Sequence, residues 1–163
     1  MKTKKLALTA VLFAVALVLS FVENSFVIIP ACPGVKLGLS NVAVMFALIS
    51  IDRKTAAGMV VLKGLFALLT RGVIAGALSL SGGLVSLLGV TLILIIKNTS
   101  YTILGITGAL LHNLVQYIVI CFIYGGVSFI PYLPLLIVSG TFFGIVNGIL
   151  LHSVTPSLNK LRR

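Results

Sequence analysis

The sequence predicts an all-α membrane protein, a bundle of six transmembrane helices with both termini cytoplasmic. Three observations carry that expectation. Of 163 residues, 60% are hydrophobic and only 9% charged, and the mean hydropathy is +1.27, more apolar than a soluble domain whose surface must be covered by polar groups. The apolar runs are broken at intervals by charge, glycine and proline, and Lys and Arg fall unevenly on the segments between them. A crossing helix needs ~20 mostly apolar residues, so this length holds about six spans with little left for a separate catalytic domain. The chain is read as a single membrane domain, 1–163.

The start, Met1-Lys2-Thr3-Lys4-Lys5 before an apolar run, resembles a secretory signal. That run is long, however, and Phe21, Val22 and Glu23 stand where small residues would mark cleavage, so it reads as a retained first span, 6–22. The proline-marked segment "ENSFVIIPACPGVK" leads to span 2 (37–51), which ends at Asp52-Arg53-Lys54. Span 3 (55–70) stops at Arg71, and "GVIAGALSLSGG" precedes span 4 (84–96), closed by Lys97. Span 5 (101–124) ends at the turn "GGVSFIP", and span 6 (132–154) runs into the tail "NKLRR". Span 2 is short and the segment 72–83 is glycine-rich. Both "FVIIPACPG" and "GVIAGALSLSGG" are therefore expected to be outer loops or short partial helices dipping toward an outward-opening cavity, since non-helical backbone survives at membrane depth only when protein or water satisfies it.

Orientation follows from counting cations. With the N-terminus inside, the inner side holds Lys2, Lys4, Lys5, Arg53, Lys54, Lys97, Lys160, Arg162 and Arg163, against Lys36 and Arg71 outside. This is the positive-inside pattern of a cell-membrane protein. The formal charge of +10 is then a topological signal with affinity for anionic lipid, and nucleic acid binding has no domain to support it.

Lys63 remains inside a span. It lies about 14 Å beyond Lys54, and His112 lies about 16 Å beyond Tyr101, so both fall near the middle of a ~30 Å hydrocarbon core. On a helix His112 and Gln116 share a face, with Asn113 adjacent, and span 3 aligns Met59, Lys63 and Thr70 and delivers Arg71 at its outer end. A charged side chain facing lipid at mid-depth costs roughly 3 kcal/mol or more, so Lys63 is expected to face the interior. His112, Asn113 and Gln116 read either as interhelical hydrogen-bond glue, worth about 0.6–2 kcal/mol each, or as the lining of a solute pocket. The pocket is the preferred reading for Lys63, because a solute bringing negative charge or carbonyl oxygens accounts for a buried cation. Lys36, Asn41, Arg71 and Ser81 are expected at its outer rim.

Ala7, Ala10 and Ala14 form a small-residue stripe on span 1, a candidate docking face for another membrane protein, and Gly140, Gly144 and Gly148 form one on span 6 that reads as packing within the bundle. Cys32 and Cys121 both map outside, which permits a disulfide, although structural filler is the plainer reading. Two histidines, two cysteines and two acids on different segments assemble no metal site or acid–base pair. No cofactor is expected.

The segments "GVKLGLSNVAVMFAL", "LKGLFALLTRGVIAGALSLSGGLVSLLG" and "LGITGALLHNLVQYIV" resemble the Gx transporter family, whose members often carry the name heptaprenyl diphosphate synthase component I. That family in turn is similar to the substrate-binding S components of energy-coupling factor (ECF) transporters. The resemblance implies a six-helix bundle with a vitamin-sized pocket open outward. It also implies an alanine face on the first helix, here Ala10 to Ala14, that docks on a transmembrane coupling subunit driven by two ATPases. Flavin-binding members carry a Leu-Lys-Leu-Asp-x-Ser-Asp type of motif. Here Val35-Lys36-Leu37-Gly38-Leu39-Ser40-Asn41 has Gly38 and Asn41 in place of the aspartates, a departure from the flavin pattern.

The enzyme name fares poorly on chemistry. Prenyl elongation needs Mg²⁺ held by clustered hard oxygen ligands, whereas Glu23 and Asp52 are expected on opposite sides of the membrane. No ATP-binding loop of the G-x-x-x-x-G-K type is present. The expectation is a non-enzymatic membrane subunit that captures a small solute for uptake with a partner energising module. The alternatives are a non-catalytic component of polyprenyl diphosphate or quinone biosynthesis, or a stand-alone secondary transporter.

Overall fold

Apolar runs of this length cannot leave peptide groups unpaired in lipid, and the chain satisfies them within helices. In the computed structural model, six follow one another: α1 (Lys2–Ser25), α2 (Leu39–Ser50), α3 (Arg53–Arg71), α4 (Val73–Ile93), α5 (Tyr101–Tyr124) and α6 (Leu133–Arg162). The structure describes residues 2–25, 38–96, 99–125, 131 and 133–162, and there is no strand among them. Four helical segments, Thr3–Glu23, Val73–Ile93, Tyr101–Tyr124 and Leu133–Pro156, are long and apolar enough to cross a membrane. Their outer faces carry exposed large hydrophobics such as Phe21, Val73 and Phe122. In water that surface would aggregate; in a bilayer it is the lipid face.

At the centre stands α2. Nine of its twelve residues are buried, including Phe46 and Ala47, and it touches all five other helices. A short helix that is apolar on every side belongs in the interior of a bundle. Around it, α3 and α4 pair antiparallel through Gly72, whose φ of 89° suits a residue without a Cβ. The antiparallel α4–α5 and α5–α6 pairs follow.

One end of the bundle is closed by charge. Asp52 caps α3, its Oδ1 accepting from Thr55 N at 2.6 Å, and its other oxygen pairs with Lys5 of α1. The Lys5 ammonium, followed by the Thr55 amide, holds the Asp52 carboxyl down at about 2. The opposite end carries Glu23, Gly38 and Arg71.

Several expected boundaries shift. The segment "GVIAGALSLSGG" is not a loop or a set of partial helices but the first half of α4, which begins at Val73 rather than at 84. Glycines within the helix are contact points: a Cβ on Gly76 would lie 2.7 Å from Leu68 Cβ, and one on Gly83 would lie 2.8 Å from Val60 Cγ1. Small residues that break a helix in water permit close packing in a membrane bundle. Similarly, α2 is shorter than the expected 37–51, and α6 continues through Pro156 to Arg162. Thr70, expected beside Lys63, is exposed while Lys63 is buried; it stands in the last turn of α3, where its hydroxyl donates back to the Phe66 carbonyl at 2.7 Å. The segment "FVIIPACPG", with Cys32, lies outside the described residues; Cys121 is a free, half-buried thiol.

Candidate functional site

Toward the Glu23 end, polar side chains from five helices meet in the interior. Lys63 of α3 is only 6% exposed and its Nζ donates to Asn41 Oδ1 of α2 at 2.8 Å. Gln116 of α5 is 1% exposed and its Nε2 donates to the Leu78 carbonyl of α4 at 3.4 Å. His112, one turn before Gln116, lies over Gly82, where a Cβ would come within 2.8 Å of Nδ1. Only glycine at that position lets the imidazole reach the α4 backbone.

Glu23, at the end of α1, serves a different helix. The N-terminal residue of α2 is preceded by Gly38 in the left-handed region, with no side-chain cap of its own. Glu23 supplies the cap from outside the helix: Oε1 accepts from Leu39 N at 2.7 Å and Oε2 from Ser40 Oγ at 2.9 Å. Amide donors and the positive end of a helix dipole both favour a carboxylate there. Arg71 closes the same end, its Nη2 donating to Ser20 Oγ at 3.3 Å.

These groups surround a cavity lined by Ser20, Glu23, Asn41, Lys63, Arg71, Ser79, His112 and Gln116. A second cavity shares Asn41, Lys63 and Ser79 with the first and continues between α2, α3 and α4 along Val44, Met45, Leu48, Val60, Leu87 and Val90. Each offers about 10 Å³ to the centre of a water molecule, room for about one water. A larger guest therefore binds only as the helices part. Gln116 Oε1 is buried and reaches no hydrogen-bond partner among the described residues. An acceptor left so costs about 1–3 kcal/mol.

Of the expected site residues, Asn41, Lys63, Arg71, His112 and Gln116 come together. Asn113 is buried on the α5–α6 seam instead, with Nδ2 3.1 Å from where a Gly140 Cβ would stand. Ser81 turns back on its own helix, donating to the Ala77 carbonyl at 2.7 Å, and Ser79, two residues earlier, takes the place at the cavity. Lys36 lies outside the described residues. Ala7, Ala10 and Ala14 are exposed along one side of α1. Sequence reasoning missed Ser79, Ser40 and Asn147, whose Nδ2 donates to the Gly38 carbonyl at 3.4 Å. A signal was available in the spacing of Ser79, Gly83, Ser86 and Val90, a small-residue face on α4. Among the described residues no three of His, Cys, Asp and Glu gather as a metal site would require.

Long apolar helices around a buried polar interior define a multi-pass membrane protein. Residues 12–154 match the family model described as heptaprenyl diphosphate synthase component I, and the chain belongs to that family. No curated protein and no solved structure matches it.

Proposed function

We propose that this chain is a solute-binding membrane subunit, similar to an ECF S component, that captures a small solute from outside and passes it inward with a partner energising module. The observation that carries this reading is the convergence of Asn41, Lys63, Ser79, His112 and Gln116 from four helices on one buried cavity. Polar groups at such depth are costly, and convergent polar side chains beside an apolar pocket are what a ligand site requires. In this reading all six helices cross the cell membrane and both termini are cytoplasmic. The Lys5–Asp52 end faces the cytoplasm and the Glu23–Arg71 end opens outward. Ala7, Ala10 and Ala14 present a bare strip on which a transmembrane coupling subunit with two ATPases docks. Lys63 and Arg71 supply charge and His112 and Gln116 hydrogen bonds, while Asn113 and Ser81 lie outside the cavity lining.

The family description favours a second reading, a membrane component accompanying heptaprenyl diphosphate synthesis. Elongation itself is not assigned to this chain, because Glu23 and Asp52 belong to opposite ends of the bundle and cannot share a Mg²⁺ ion. Affinity purification of the tagged chain from native membranes separates the two readings. Coupling and ATPase subunits in the eluate, with a bound small molecule, support transport; a prenyltransferase subunit without them overturns it.

A further inference from the structure

We infer that the solute is a small amphipathic anion, an oxyanion head on a short apolar body. The inference rests on the solute-binding reading and adds the ligand's chemistry to it. The two cavities meet at Asn41, Lys63 and Ser79 and differ in character on either side of that junction.

On the Glu23 side two cations, Lys63 and Arg71, face one acid. Both oxygens of that acid already accept from the start of α2 and its charge also acts on Arg71, so two cations against one acid leave a single net positive charge on this side. Asn41 Oδ1 is engaged by Lys63. Donors and positive charge therefore dominate this side, and a carboxylate or phosphate oxygen is what such a set recognises. Past the junction the walls are Val44, Met45, Leu48, Val60, Leu87 and Val90, with Ser86 turned away to donate to the Gly108 carbonyl at 2.9 Å. From Asn41 to Leu48 this apolar part follows α2 for seven residues, about 10 Å at ~1.5 Å per residue. A sugar or a nucleobase would leave its polar edge unmatched there, at a cost; an alkyl or isoprenoid-like body would not.

The test uses the full-length chain in mild detergent, with thermal stability followed against hexanoate, hexyl phosphate, butyrate, acetate, inorganic phosphate and hexanol. Hexanoate or hexyl phosphate should raise the melting temperature in a saturable way, as a ligand of the folded state does. Whichever of the two binds more tightly identifies the head. Acetate, inorganic phosphate and hexanol should have no such effect at the same concentrations. Lys63→Met should weaken the hexyl anions roughly thirtyfold or more. Leu87→Phe, which narrows the far part at a half-buried position, should weaken them while sparing butyrate. A response to hexanol equal to that of hexanoate, or one that survives Lys63→Met, would mean partition into the micelle and overturn the inference. If neutral polar solutes bind in a Lys63- and Gln116-dependent manner and no hexyl anion does, the ligand class is wrong and the solute site stands. If no probe of either kind binds and no small molecule copurifies, both fall.

Discussion

At Glu23 two bonds, from Leu39 N at 2.7 Å and Ser40 Oγ at 2.9 Å, tie the end of α1 to the start of the central helix. Glu23→Gln keeps an acceptor but removes the charge facing the helix dipole, and we expect a loss of about 1–2 kcal/mol in thermal stability; an unchanged melting temperature would show that the charge adds nothing to the cap of α2. Lys63→Met behaves differently. It removes a buried charge, which stabilises, and strands Asn41 Oδ1, which costs about 1–3 kcal/mol. Melting should barely move while solute affinity falls by about 2–5 kcal/mol, a split that a purely structural lysine would not produce. At the far end Asp52 joins a cap and an ion pair. Asp52→Ala is expected to cost about 0.5–2 kcal/mol as a lost cap, and Asp52→Asn, which still accepts from Thr55, only about 0.2–1 kcal/mol for an exposed pair. The folded pKa of Asp52 is about 2 against an ordinary 3.8, so the ion pair contributes fully above pH 3.8. As the pH falls toward about 2 the unfolded chain takes up the proton first and that contribution is lost. An acid titration of stability should show this loss in the wild type and not in Asp52→Asn.

Helix against helix, the closest approach is the α5–α6 seam. A Cβ on Gly144 would sit 2.5 Å from Ile106 Cα and one on Gly148 would sit 2.5 Å from Thr102 Cα. Backbone atoms cannot step aside as a side-chain tip can, so Gly144→Ala should destabilise by about 1–3 kcal/mol or more. Gly58→Ala, with nothing within 4 Å, should stabilise by up to about 1 kcal/mol through helix propensity. Melting curves of the two variants moving in the same direction would contradict this packing. The span 6 glycine stripe was legible from its four-residue spacing because strict periodicity has few other uses. Segment 72–83 reads wrongly from sequence for the opposite reason: glycine and serine break helices in water, whereas here Gly76, Gly82 and Gly83 each receive a neighbour's side chain. Lys63, His112 and Gln116 stood out because polarity inside an apolar run is costly wherever the helix sits. The roles of Ser79 and Asn147 depend on which helices are neighbours, and Glu23's role depends on α2 beginning beneath it. Pairing of that kind is written in three dimensions and not in periodicity.

Over the whole molecule, charge and polarity sort to separate places: an ion pair and basic residues at one end, a polar interior toward the other, and apolar side chains outside. If all six helices cross, cysteines placed at Asn24 and Gly126 should label from outside, and those at Thr55 and Ser157 only from inside. Termini labelled from opposite sides would end the six-span account. The alanine strip belongs to this scale too, since Ala10→Leu with Ala14→Leu should abolish copurification of a coupling subunit and leave solute binding intact. The central claim is that the buried cluster holds a solute. Native mass spectrometry of the chain extracted gently from its own membranes, compared with Lys63→Met and Gln116→Leu, tests it most directly. The expected result is a small-molecule adduct on the wild-type chain that both variants lose while remaining folded. Equal adducts on all three proteins, or none on any, would contradict it.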